Sequence, residues 1–332
     1  MNYSEKEIEE VLNKYKLTED EHKKYYEVIK RLWTADQYPV EKPIAVIIGG
    51  QTGAGKSGLI SYSQKMFPDN NVVIINSDEI KPFHPYGEEI AKKYPELYTK
   101  VTDQESNTWT SKLFEDVRNE KYNLIFEGTM KNNRIADEAI PILQGLGYTV
   151  VVRGLAVSGL ESRLSIHERY EGQVKHKGWG RLVVPEHHNQ TFNGMPNTIE
   201  YIEQNGRYDV LEIYTRGKTP DMPVLKYANH NKNTIEKTSQ VLKNKKFITK
   251  ESQKNNYMNA KDSIIKVREE NEEQIIDDCK ERFAAIINSM NDRNASKSEK
   301  EQLLELLELY NNTNEKVKKK DNMNKIVDDE AR

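Results

Sequence analysis

Pro43-Ile-Ala-Val-Ile-Ile-Gly-Gly-Gln-Thr-Gly-Ala-Gly-Lys-Ser57 is a run of apolar, mostly β-branched residues that opens into Gly50-x-x-x-x-Gly55-Lys56-Ser57. An apolar run of this length, bounded by glycines, reads as a buried parallel strand. Gly58-Leu-Ile-Ser-Tyr-Ser-Gln-Lys65 can follow it as a helix. A glycine-rich turn between strand and helix lets successive backbone N–H groups turn inward, and the helix adds its positive end. The motif is the phosphate-binding P-loop. Gly50, Gly53, Ala54, Gly55, Lys56 and Ser57 are therefore the candidate nucleotide-binding residues, with ATP and Mg²⁺ as the implied cofactors. Lys56 is placed to reach the β- and γ-phosphates, and the Ser57 hydroxyl to ligate Mg²⁺. The competing reading is a glycine-rich surface turn, which the flanking strand and helix patterns oppose.

The chain has 332 residues, enough for a sizeable core. Charged residues make up 31% and apolar ones 36%, so part of the chain is expected to be extended polar helix. A net charge of -3 argues against a protein whose main task is to grip a nucleic-acid backbone. The single cysteine, Cys279, excludes an intramolecular disulfide and a cysteine-based zinc site, and reads as a small packing residue. The N-terminus lacks a basic start followed by an apolar stretch, and no apolar run approaches a membrane span. A soluble cytoplasmic protein without a membrane partner is expected.

Ser4-x-x-Glu7 and Thr18-x-x-Glu21 are capping-box patterns, each ahead of helical apolar spacing, so residues 1–40 read as two short helices. Strand-like segments follow at 44–48, 71–76, 122–126, 148–157 and 208–214, separated by helical ones. This alternation predicts an α/β fold: a parallel sheet with helices on both faces. From about residue 230 the composition turns to Lys, Asn and Glu, with helical periodicity over 261–290 and 297–312. Lys316-Val-Lys-Lys-Lys-Asp reads as a frayed end. The expected organisation is a kinase domain over 1–230, with helices at 1–40 and a core at 41–216. A helical, charged C-terminal region over 231–332 completes it.

Right-handed crossovers bring the carboxyl end of every parallel strand to one edge of the sheet. Ser77-Asp78-Glu79 follows the second strand and Glu127-Gly128-Thr129 the third, so two carboxylates should face the P-loop. A kinase needs a base for its acceptor hydroxyl and a second anchor for metal or substrate. The structural alternatives are a helix cap at Asp78 and an internal hydrogen bond at Glu127. Arg169 and Arg181 flank a basic, glycine-rich turn after the fourth strand and could close over a triphosphate as a lid. Solvated surface is their plainer reading. Adjacent His187 and His188 point to different faces of any regular element, so a helix start after Pro185 is preferred to a metal site.

The series G-G-Q-T-G-A-G-K-S, I-N-S-D-E-I-K-P-F-H-P, Y-N-L-I-F-E-G-T and H-E-R-Y-E, followed by a further arginine, resembles the zeta toxin family over roughly residues 1–216. Those proteins are P-loop kinases of bacterial toxin–antitoxin systems that phosphorylate the 3′-hydroxyl of the amino sugar in UDP-N-acetylglucosamine and so block cell-wall precursor supply. The resemblance implies that Lys56 and Ser57 hold the ATP phosphates and Mg²⁺, and that Asp78 is the general base. It implies that Glu127 and Thr129 bind the nucleotide sugar, with Lys131 beside them, and that Arg169 and Arg181 stabilise the transferring group. It further implies a small helical antitoxin of the epsilon type that blocks the ATP site. Ser111 stands where the family usually carries a substrate-binding glutamate, with Glu105 and Glu115 as nearby acids, which leaves a related UDP-sugar open as acceptor.

The expected activity is ATP-dependent phosphotransfer to a sugar hydroxyl of UDP-N-acetylglucosamine. The rivals are a P-loop kinase for another small-molecule or nucleic-acid hydroxyl, and a nucleotide-gated binding protein that uses its C-terminal helices as an interaction arm.

Overall fold

A computed structural model describes residues 3–231 and 259–330. The chain begins with helices α1 (Glu5–Lys14) and α2 (Glu19–Thr34). Both capping boxes form: the Ser4 and Thr18 hydroxyls accept from the N–H groups of Glu7 and Glu21, whose carboxylates accept in return from the cap N–H groups. Then follow β1 (Ile44–Gly49), α3 (Lys56–Gln64), β2 (Val73–Ile75), α4 (Ser77–Ile80), α5 (Gly87–Lys93) and α6 (Tyr98–Asn119). Next come β3 (Leu124–Glu127), α7 (Ile140–Gly145), β4 (Thr149–Leu155), α8 (Gly159–Lys177), α9 (Pro185–Gln204), β5 (Val210–Thr215) and β6 (Val224–His230). Two long helices, α10 (Ala260–Asp292) and α11 (Lys297–Glu330), end the described chain.

The six strands form one sheet in the order β2-β3-β1-β4-β5-β6. β1 to β5 are mutually parallel, and β6 runs antiparallel at the edge. The chain moves from β1 outward on one side to β2 and β3, then crosses to β4 on the other. β1 thus marks the switch point, where α/β sheets place their ligand crevice. Alternate residues of β1 serve opposite faces, as a sheet covered on both sides requires. Ala45 and Ile47 join Tyr26, Trp109, Leu113, Ile140 and Ile199 on one face, while Val46 and Ile48 meet Leu59 and Ile60 of α3 on the other. Burying each such large aliphatic side chain contributes roughly 1.5–3 kcal/mol. α3 is also tied to the sheet by the buried pair Arg153–Glu212 (2.8 Å) on β4 and β5, whose guanidinium donates to the Ser63 hydroxyl at 2.7 Å.

The structure departs from the sequence reading at two places. β6 adds a strand beyond the five strand-like segments, because a half-exposed antiparallel edge strand such as Val224-Leu-Lys-Tyr-Ala-Asn-His lacks the continuous apolar run of a buried one. The end near Lys316 is not frayed, since α11 continues to Glu330. Leu306, Tyr310, Thr313 and Val317 keep a helical stripe on the cluster shared with α8 and α10, and the run of lysines around it hides that stripe. Cys279 is buried in this cluster as a packing residue.

Candidate active site

The P-loop joins the end of β1 to α3. Gly53 and Gly55 both take positive φ, +80° and +93°, where a side chain is strained, and a Cβ on Gly53 would fall 2.0 Å from the Ser162 carbonyl oxygen. Gly55 caps α3 without a side chain, so the first N–H groups of that helix remain available to an anion. Lys56 donates to the carbonyls of Gly50 (3.0 Å) and Gln51 (3.3 Å) and stands 3.5 Å from Glu127. A crevice of about 500 Å³ opens over this loop, and Gly53, Gly55, Lys56, Ser57, Asp78, Glu127, Thr129, Arg169 and Arg181 all line it. Gly50 and Ala54 do not line it: the Gly50 carbonyl accepts from Lys56, and Ala54 is buried.

The two carboxylates arrive as the topology requires. Asn76, directly after β2, caps α4 by accepting from the Asp78 N–H at 2.9 Å, and its amide donates to Glu127 at 2.6 Å. One side chain thus fixes both acids relative to each other. The Asp78 carboxylate accepts from Lys81 and Arg181, each at 2.7 Å. Burial alone would raise its pKa, but Arg181 and Lys81 outweigh it and hold the carboxyl well below the usual range. Glu127 shifts the other way. Burial pushes it up, Lys56 opposes this only in part, and the Asp78 charge adds to the rise.

Arg169 projects from α8 into the crevice and makes no hydrogen bond or ion pair among the described residues. Burial, then the positive charge of Arg181, lowers its pKa below the ordinary guanidinium value. An unpaired, partly desolvated guanidinium of this kind is poised for an anionic ligand. The segment between α8 and α9 presents Arg181, its backbone N–H held by Gln173 at 2.9 Å.

Three site residues escaped the sequence reading. Lys81 bridges Asp78 to Asp103 of α6, the latter at 2.8 Å. Asp103 itself lines the crevice. Arg216, one residue past β5, lines the crevice, donates to the carbonyls of Gly53 and Ala54 (2.9 Å to Ala54) and pairs with Glu161 at 2.8 Å, tying the P-loop to α8. A lysine three residues after an aspartate was a usable signal for Lys81. Nothing local marks Arg216.

Thr129 also opens onto a second cavity of about 550 Å³, lined by Lys131, Ser111, Glu115, Arg118 and Arg134. Lys131 belongs to this neighbour and not to the phosphate crevice. Of the two acids near Ser111, Glu115 reaches the second cavity, whereas Glu105 is turned to structure, accepting from the Leu17 N–H and facing His22. His187 and His188 lie near the start of α9 as read. His187 lines the crevice, while His188 is buried against Ser162 at 2.8 Å. Among the described residues no cluster of three or more His, Cys, Asp or Glu could cage a metal. A lone hydroxyl such as Ser57 at the head of a P-loop helix fits Mg²⁺, which keeps several waters and takes few protein ligands.

Residues 30–223 match the family described as Zeta toxin, more than half of the chain. The chain belongs to the Zeta toxin family. It is 30% identical over 189 residues to Toxin zeta of Streptococcus agalactiae, covering 57% of this chain and 65% of that protein. It is 28% identical over 180 residues to Toxin PezT of Streptococcus pneumoniae, covering 54% and 71%. The chain thus spans slightly less than two thirds of the Toxin zeta relatives, 65% and 62% of two of them. A chain from the PezAT chromosomal toxin–antitoxin system of Streptococcus pneumoniae shares the fold, with a TM-score of 0.56 at 22% identity, over 79% of this chain and 98% of that one. The Zeta toxin match stops at residue 223, ahead of β6 and both C-terminal helices.

Proposed function

We propose that this protein is an ATP-dependent kinase that transfers the γ-phosphate to a sugar hydroxyl of UDP-N-acetylglucosamine, the 3′-hydroxyl by family resemblance. One observation carries the reading: the ionised Asp78 shares a crevice with the Lys56–Ser57 end of the P-loop and with two arginines from the fourth crossover. The loop and the head of α3 receive the triphosphate, and Lys56 neutralises its β- and γ-oxygens. Mg²⁺ held at Ser57 supplies further charge neutralisation. The acceptor hydroxyl approaches between Asp78 and the γ-phosphate. Its oxygen forms a bond to phosphorus as the bond to the bridging oxygen breaks, ADP leaves, and the hydroxyl proton passes to Asp78.

Asp78 in its ion pairs is a poor base. A triphosphate offers Arg181 a stronger anion, and its transfer there would restore basicity to Asp78 as the donor arrives. Arg169 meets the same phosphate, so charge on the transferring group is balanced from two sides. Glu127, Thr129 and Lys131 hold the acceptor, and the second cavity beside Thr129 offers its remainder room. The reading includes a cytoplasmic site of action, where the nucleotide sugar is made. It also includes a small helical antitoxin of the epsilon type as partner; no helix among the described residues is long and apolar enough to cross a membrane.

Mass spectrometry of UDP-N-acetylglucosamine after incubation with the protein, ATP and Mg²⁺ tests the reading. One added phosphate with the native chain and none with Asp78→Asn supports it. ATP turnover with an unmodified sugar would reject this acceptor, and Ser111 in the place of the family glutamate makes other UDP-sugars the next to assay.

A further inference from the structure

The P-loop residue Gln51 is fully buried, and each end of its amide is taken. Its NH₂ donates to the Val157 carbonyl at 2.7 Å and to the Ser162 hydroxyl at 3.4 Å. Its Oε1 accepts from Arg268 at 3.2 Å, and Arg268 belongs to α10, beyond the part of the chain that matches the family. Arg268 is buried too. It stacks on the Phe192 ring at 3.8 Å, donates to the Phe192 carbonyl at 2.9 Å, and forms no ion pair among the described residues. A buried cation without a carboxylate at hydrogen-bond distance is costly to keep, and here its two terminal nitrogens donate to a carbonyl and a glutamine while its buried Nε has no partner among the described residues. The Gln51 backbone in turn bears on catalysis, because its carbonyl accepts from both the Ala54 N–H (3.1 Å) and Lys56 Nζ (3.3 Å).

The same helix grips two further parts of the site. Arg282 makes a two-pronged bond, 2.6 Å each, to Glu168, the residue before Arg169. Asn271 accepts from Thr215 at 2.9 Å, next to Arg216.

We propose that α10 sets the geometry of the donor-nucleotide site, with Arg268 as a positioning residue that acts on Lys56 through Gln51. The inference rests on the reading of the P-loop as an ATP site. On this view the C-terminal helices complete the kinase and are not a detachable arm. Apolar residues of α10 (Ala260, Ile264 and Val267) already belong to the sheet's own core.

Reciprocity gives the first test, on the native full chain. If α10 positions the loop, ATP must stabilise α10 as much as α10 favours ATP. Hydrogen exchange with and without ATP is expected to slow both at residues 50–57 and around 264–272. Protection of 50–57 alone overturns the proposal. No protection at 50–57 instead removes the nucleotide reading on which it rests. The second test is Arg268→Met in the full chain, where the ATP Kd is expected to rise about tenfold. A double-mutant cycle with Gln51→Ala separates positioning from general destabilisation: coupled effects on ATP affinity support the chain of contacts, and additive effects overturn it.

Discussion

The ends of β2 and β3 lie side by side, and each delivers one acid to the same crevice, yet Asp78 is half-exposed and Glu127 mostly covered, and their partners differ as well. Asp78 meets two cations at hydrogen-bond distance, whereas Glu127 meets an amide at 2.6 Å and a lysine at 3.5 Å. The pKa of the first is driven down and that of the second up. Environment, not residue type, separates them, and on the proposed reading it divides the work: the ionised Asp78 serves the reacting groups and Glu127 the acceptor.

The largest expected effect separates them by activity. Asp78→Asn should lower kcat about 10²–10⁴-fold. Glu127→Gln should act mainly on the acceptor, raising its KM about ten- to a hundredfold with a smaller change in kcat. Equal losses of kcat in steady-state assays would erase the division. Growth gives a coarser version of the same contrast. If phosphorylation is what poisons the cell, arrest on expression should disappear with Asp78→Asn or Lys56→Ala, and persistent arrest in both would count against it.

A smaller effect probes how the Asp78 charge is maintained. Lys81→Met removes one of its two cations, so the Asp78 pKa should rise toward the ordinary 3.8. The acid limb of the pH–rate profile then moves to higher pH. An unmoved limb would mean that Arg181 alone sets the charge.

The smallest effects are on stability and have opposite signs. The folded pKa of Asp78 lies below its ordinary value, so its pairing contributes stability above about pH 3.8 that is lost as pH falls through the folded value. The Glu127 value lies above 4.5, so stability falls as pH rises from there through the raised value, and ionised Glu127 is a cost at neutrality. At pH 7, Asp78→Asn should lower Tm and Glu127→Gln should raise it, both modestly, because the Asp78 carboxylate is half-exposed and screened by solvent. Thermal scans of the two variants decide the signs.

Glycine spacing after an apolar run, apolar segments alternating with helical ones, and capping boxes are local signals, so the sequence by itself determined the P-loop, five parallel strands, the entry helices and the strand-end acids. The handedness of crossovers then carried Asp78 and Glu127 to the P-loop without any contact being visible. What only the tertiary structure decided depends on pairs far apart in the chain. Arg216 reaches back to Gly53, Lys81 joins α4 to α6, Glu105 is diverted to the N-terminal helices, and Arg268 finds Gln51 across 217 positions of sequence. Such contacts leave no periodicity in a single sequence. Their partners are chosen by packing, since a buried polar group must find whichever donor or acceptor the fold brings within reach.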